Sequence, residues 1–191
     1  MTLPTFGLSD EDLASRAQQG DRIAFEMLIG RHKQILYRLV RRYIGNSDDA
    51  YDLLQETFIS VWENLHRFDA SRSFLAWART VALNKCRDFS RRHRFRRWIS
   101  HLIAAEPSAA TPSPAEVAEL TEGESQAEHR LRQLDQAIAA LPALYKEALI
   151  LTTVEGLSQE AAAAVLKTTT KAVEMRLRRA RQKLSNSLNS M

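Results

Sequence analysis

Residues 49–65 read DAYDLLQETFISVWENL. Ala50, Leu53, Leu54, Thr57, Phe58, Val61, Trp62 and Leu65 recur at the spacing that puts side chains on one face of an α-helix. Asp48, Asp52, Gln55, Glu56 and Glu63 fall on the other face. The pattern predicts a helix docked by its apolar side, and it sets the tone for the chain. Only 6 Gly and 5 Pro occur in 191 residues, which favours helices over a turn-rich β fold.

Upstream, Ser9 to Asp12 reads as a capping box with Asp in place of the usual Glu, and Leu13 and Ala17 follow on one face. Gly20-Asp21 breaks and restarts the helix. Phe25, Leu28, Ile29, His32, Ile35, Leu36, Leu39, Val40 and Tyr43 then recur at helical spacing until Gly45-Asn46-Ser47. Arg41 and Arg42 stand near the negative end of that helix. Downstream, the loop Arg67–Ser73 leads to Phe74, Leu75, Trp77, Ala78, Val81 and Ala82, a further helix that runs into RDFSRRHRFRRW, residues 87–98.

Composition then shifts. Ile103 to His129 holds six Glu and no Lys or Arg, with Pro107, Pro112 and Pro114 among Ser, Thr and Ala. Residues 100–127 are expected to form a flexible acidic linker. Beyond it, Leu131, Leu134, Ile138 and Leu141 share a face. Pro142 suits a helix start and Gly156 a stop. Ser158 caps SQEAAAAVL, and a short Lys167-Thr168-Thr169 turn leads to a last helix from about Thr170 to Leu188. Two helices joined so tightly read as a helix-turn-helix. The fold expected is all-α: two small helical domains, residues 8–99 and 128–188, joined by the linker.

The formal net charge of +4 points weakly to an anionic partner. The single Cys86 excludes an internal disulfide framework and fits a reducing compartment; it reads as a small core residue. No apolar run is long enough to span a membrane. The start, MTLPTFGLSDED, lacks the basic and apolar regions of a secretory signal.

Two stretches carry nucleic-acid chemistry. Lys167 to Lys183 holds seven Lys or Arg and one acid, Glu174, with Val173, Leu177, Ala180 and Leu184 on a single face. An apolar back and a cationic front are what a recognition helix needs, although a basic solvated face would look similar. RDFSRRHRFRRW interleaves six Arg with Phe89, Phe95 and Trp98. Arginines neutralise phosphates and rings accept unstacked bases; core-facing aromatics on a solvated helix end are the plainer reading. The acidic face of residues 49–65 is, by itself, an ordinary solvated face. The five His (32, 66, 93, 101 and 129) show no metal-ligand spacing, and His32 falls on an apolar stripe as a packing or helix-end residue. Asp52 and Glu56 lie one turn apart but have no companion ligands, so no metal or cofactor is expected.

Taken in order, these segments resemble the sigma-70 family, extracytoplasmic-function (ECF, group 4) subgroup. GDRIAFEMLIGRH is similar to its region 2.1 and DAYDLLQETFISVWENLHRFD to region 2.2, with DLLQETF the most specific motif. FLAWARTVALNKCRDFSRR resembles regions 2.3 and 2.4; LPALYKEALILTTVEGLSQEAAAAVL and VEMRLRRARQKL resemble region 4.

The resemblance implies a DNA-reading, promoter-opening subunit of RNA polymerase rather than an enzyme, working in the cytoplasm. It places Asp52, Gln55 and Glu56 against the β′ clamp helices of core polymerase, and region 4 against the β flap. Asn84 would hold a flipped −10 base, with the loop Phe68, Asp69, Ser71, Arg72 and Ser73 completing the pocket. Phe74 and Trp77 are expected as core supports. Arg87, Arg91, Arg92 and Arg94 would hold strand phosphates.

Glu174, Met175, Arg178 and Arg179 match positions facing the −35 major groove, with Lys171 and Arg176 on phosphates. Lys167 stands where the turn often carries a small residue, Lys171 where many members have Gly, and Glu174 where a basic residue is frequent. These departures imply an unusual −35 sequence. The linker would thread the polymerase and tether the two readers. An anti-sigma factor, in this subgroup often membrane-bound, is the implied regulator; the chain itself is not expected to enter a membrane. The competing readings are a conventional helix-turn-helix repressor or activator, and a nucleic-acid-processing enzyme using Asp52 and Glu56 with metal.

Overall fold

A computed structural model describes residues 7–103 and 126–189. Among these the regular elements are all helical. The N-terminal bundle has α1 (Asp10–Gln18), α2 (Arg22–Ile44), α3 (Ser47–Asn64), a 3-10 turn (Leu65–Arg67) and α4 (Phe74–Ile103). The C-terminal bundle has α5 (Gln126–Ala140), α6 (Ala143–Leu149) running into a π turn (Ile150–Val154), α7 (Gln159–Val165) and α8 (Thr170–Asn189). The chain is thus still helical past residue 99 and helical again from Gln126. The rest of the expected linker lies outside the described residues.

Local chemistry explains the helix starts. Ser9 accepts from the Asp12 amide while Asp12 accepts from the Ser9 amide, a reciprocal cap. Asp21 accepts from Ala24, and Asn46 from both Asp48 and Asp49. The Ala24 amide holds the Asp21 carboxyl below its ordinary value. Pro142 is the residue before α6 rather than its first, and Ser158 caps α7. Gly45 closes α2 in the left-handed region, and a β-carbon there would stand 3.3 Å from Ala139 of the other bundle. The two halves approach closely at that point.

Most of the α3 stripe is buried: Ala50, Leu53, Leu54, Thr57 and Val61 are inside, whereas Phe58 is half-buried and Trp62, expected on the same face, is exposed at its edge. Leu28, Leu36, Leu39 and Val40 of α2 and Ala78, Ala82, Leu83 and Cys86 of α4 meet it. His32 is buried too; its Nε2 lies 2.6 Å from Asp10, which ties α1 to α2. In the C-terminal bundle Ile150, Leu151, Val173, Leu177 and Ala180 form the inner face. The buried residues of both halves join into one continuous core.

Candidate nucleic-acid interface

The loop before α4 is held rigidly. Gln18 of α1 donates to the carbonyls of Leu65 and Phe68, both at 2.8 Å. Asp69 accepts from the Ser71 hydroxyl at 2.7 Å and the Ser71 amide at 3.0 Å. These bonds, the hydroxyl first, keep its carboxyl below the ordinary value. Arg72 reaches the same carboxylate at 3.3 Å. Ser73 Oγ accepts from the Ala76 amide and opens α4.

Phe68 is buried edge-on to Phe74 and 5.3 Å from the ring of Trp77. Phe74 is a core support as expected, whereas Trp77 also faces a cavity of about 750 Å³. Phe68, Asp69, Arg72, Ser73, Trp77 and Asn84 share its wall. The structure therefore brings together Asn84 and most of the loop that the sequence had marked. Ala164, Val165 and Lys167 of the C-terminal half close the other side.

Further along α4 the arginines differ from one another. Arg91 pairs with Asp88 at 2.7 Å, and Arg92 lies 3.7 Å from Glu56. Arg94 is exposed at a second cavity of about 550 Å³. Arg87 is committed elsewhere: Nε and Nη2 each lie 2.6 Å from an oxygen of Glu147, and Nη1 donates to Asn84 at 2.9 Å. That carboxylate raises the Arg87 pKa above its ordinary value.

On α3, Asp52, Gln55 and Glu56 are exposed on the face away from the core. Ile59 lies one turn further on, 58% exposed. Trp62, nearby, packs its ring tilted against Phe25, with centroids 4.8 Å apart. On α8, Lys171, Glu174, Met175, Arg178 and Arg179 face outward and Arg176 is half-buried, while Val173 and Ala180 are fully enclosed. The Thr169 side chain caps the helix through Ala172. Lys167, in the turn, takes a positive φ of 50°, the backbone shape that glycine adopts more readily. Arg179 donates to the Tyr145 hydroxyl at 3.4 Å and lowers its pKa.

Sequence reading passed over Lys146, Glu147, Glu155, Arg79 and Gln18. Glu147 and Glu155 sit within the apolar run of the C-terminal half, and that misplaced charge was the available signal. Both are buried between the halves: Glu147 meets Arg87 and Tyr43, and Glu155 meets Arg79 at 2.9 Å. Lys146 donates to the carbonyls of Tyr43 and Ala139, one from each half, and burial lowers its pKa to about 8. Burial and the nearby Glu147 charge push the Cys86 thiol well up. Among the described residues, no three His, Cys, Asp or Glu side chains converge as a metal site, and no helix is long and apolar enough to cross a membrane.

This is a helix-turn-helix module attached to a second helical bundle that carries a walled pocket and an arginine-rich helix, the arrangement of a nucleic-acid-binding protein. The comparisons narrow the class. Sigma-70 region 2 matches residues 28–96 and Sigma-70, region 4 matches residues 131–184. RNA polymerase sigma factor NccH of Alcaligenes xylosoxydans xylosoxydans is 36% identical over 184 residues, 95% of each chain. The ECF RNA polymerase sigma-E factor of Escherichia coli is 30% identical over 186 residues, 96% of each. A solved structure of CnrH in complex with the cytosolic domain of CnrY matches with a TM-score of 0.68 and 31% identity, over 95% of this chain and 97% of that one. The chain belongs to the sigma-70 family, as an ECF-type RNA polymerase sigma factor.

Proposed function

We propose that this sigma factor binds core RNA polymerase through α3, reads and opens the −10 element with the pocket beside α4, and reads the −35 element with α8. The observation that most supports this is the cavity: an amide (Asn84), a fixed loop carboxylate (Asp69), hydroxyls and the Trp77 ring share one wall. Such a wall offers an extracted base both stacking and edge hydrogen bonds. Those must offset the few kcal/mol needed to unstack it.

Arg91, Arg92 and Arg94 are suited to the adjoining phosphates, each exposed and at most weakly held by a surface carboxylate. Asp52, Gln55 and Glu56 suit a basic partner helix such as the β′ clamp helices, and the C-terminal half suits the β flap. Glu174, exposed, would suit accepting from a cytosine N4, and Arg178 and Arg179 reaching guanines or phosphates. Residues 8–99, 100–127 and 128–188 would serve as −10 reader, tether and −35 reader. The protein performs no chemistry of its own in this reading and acts in the cytoplasm. CnrH was solved with the cytosolic domain of CnrY, and a comparable anti-sigma protein is the regulator proposed here.

The test is runoff transcription by purified core polymerase on a pool of candidate promoters. Promoter-specific transcripts should require this protein and weaken when Gln55 and Glu56 are changed to Ala. Tight binding to duplex DNA without polymerase, and no transcripts, would overturn the reading in favour of a conventional repressor or activator.

A further inference from the structure

Lys146 is a buried cation whose counter-ion the described residues do not supply. It is 5% exposed. Its ammonium donates to the carbonyls of Tyr43 and Ala139, and the Tyr43 ring lies 4.6 Å away. Carbonyls and a ring leave the charge unneutralised. Its neighbour Glu147 gives both carboxylate oxygens to Arg87, each at 2.6 Å. Among the described residues no carboxylate forms an ion pair with Lys146. Buried charges are ordinarily paired, or they shift toward the neutral form. Lys146 has shifted, and the Arg94 charge adds to the shift that burial imposes.

Lys146 lines the cavity of about 550 Å³, which shares no wall residue with the cavity beside Asn84. Arg94 and His93 of α4, both exposed, line it too, with Ser90 one turn before Arg94. Arg94 makes no ion pair among the described residues. Asp49, half-buried, is the one acid on the described wall. The His93 ring lies nearly parallel to Phe89, centroids 5.9 Å apart, and both belong to this wall. The volume falls in the range of small-molecule sites, roughly 300–1,000 Å³, and exceeds what a bare phosphate fills.

We propose that this cavity binds a phosphomonoester of nucleoside-monophosphate size, its phosphate between Lys146 and Arg94 and its ring against the Phe89–His93 pair. A phosphate dianion answers two cations at once, and a guanidinium fork matches its oxygens. The ligand brings the negative charge that Lys146 lacks. Because it touches both α4 and α6, it stabilises this arrangement of the chain by mass action.

The full chain, without polymerase, is titrated by calorimetry with GMP, AMP, inorganic phosphate and a short single-stranded DNA. The titrations run at pH 8 and constant ionic strength, in two buffers of different ionisation enthalpy. GMP or AMP should bind saturably with a Kd below about 1 mM. Binding should take up about half a proton, because the phosphomonoester is already a dianion at pH 8 and Lys146 regains its charge. Arg94→Gln, a surface change, should weaken binding about tenfold or more. Lys146→Met should abolish both affinity and proton uptake; if it fails to fold, Arg94→Gln and the wild-type proton uptake carry the test. Lys33→Gln, an exposed cation of α2 away from this wall, should bind like the wild type.

Any of four results overturns the proposal. The first is no saturable binding of GMP or AMP, and the second is binding that Arg94→Gln leaves unchanged or that takes up no proton. The third is inorganic phosphate binding as tightly as GMP, which removes the ring contact and with it the nucleotide. The fourth is Arg94-dependent binding of the single-stranded DNA alone, which gives this wall to the strand.

Discussion

The Lys146 ammonium lies 4.6 Å from the centre of the Tyr43 ring and 3.3 Å from the Tyr43 carbonyl, so one buried cation of the C-terminal half closes the end of α2. Burial lowers its pKa to about 8; the Glu147 carboxylate favours the charge and Arg94 opposes it. The unfolded lysine keeps its proton until about pH 10.5. Between the two values the unfolded chain binds more protons, so stability rises with pH there, while below pH 8 the full burden of the buried charge remains. Cys86 works against this above about pH 9, where the unfolded thiol ionises and the buried one does not. Urea unfolding should therefore show a gain of about 0.5 kcal/mol between pH 8 and 9. Lys146→Met should be flat or falling over the same range.

Leu54 and Glu56 sit two residues apart on opposite faces of α3 and should separate stability from docking. Leu54 is 2% exposed, and Leu54→Ala should lose about 2–5 kcal/mol in denaturant unfolding. Glu56 has only the half-exposed Arg92 at 3.7 Å, so Glu56→Ala should change stability by less than about 1 kcal/mol. Its effect is expected in core-polymerase binding, measured as a several-fold loss in pull-down or fluorescence titration.

Lys167 holds a backbone shape that suits glycine. Lys167→Gly should raise stability by about 0.5–1 kcal/mol, the relief of the left-handed backbone less the added freedom of the unfolded chain. A lower denaturant midpoint would show that the lysine side chain contributes more than its backbone costs.

Glu174 and Arg178 are one turn apart on the open face of α8. Binding-site selection with polymerase holoenzyme should return a −35 element that changes at a single position on Glu174→Arg, from cytosine toward guanine. Recovery of the same sequence with both proteins would remove Glu174 from the readout.

The helices were legible because their causes are local. The stripe of α3 and the side-chain caps at Ser9 and Ser158 depend on neighbours within a turn. The cavity wall was legible only through family resemblance, since nothing in the spacing of Phe68, Ser73 and Asn84 says that they meet. Arg87 shows where sequence stops. Its charge was evident, but its partner is 60 residues away, and periodicity reveals an apolar face without saying which surface will cover it. Lys146, Glu147 and Glu155 interrupt such a face, and a charge inside an apolar stripe becomes intelligible only once the opposing arginines are in place. The π turn was equally invisible, because one extra residue in a helical turn leaves no mark on composition.

That turn, Ile150–Val154, has a consequence for how relatives should be aligned. Glu147 and Glu155 are eight residues apart, a separation that in a regular α-helix swings the second side chain well off the line of the first. The i to i+5 bond from the Glu155 amide to the Ile150 carbonyl absorbs one residue and swings it back. A relative with a regular helix here would reach the same alignment with one residue fewer. A one-residue gap between these acids is therefore compatible with an intact pair, and a substitution that preserves length while restoring a regular helix is the change that would misalign them.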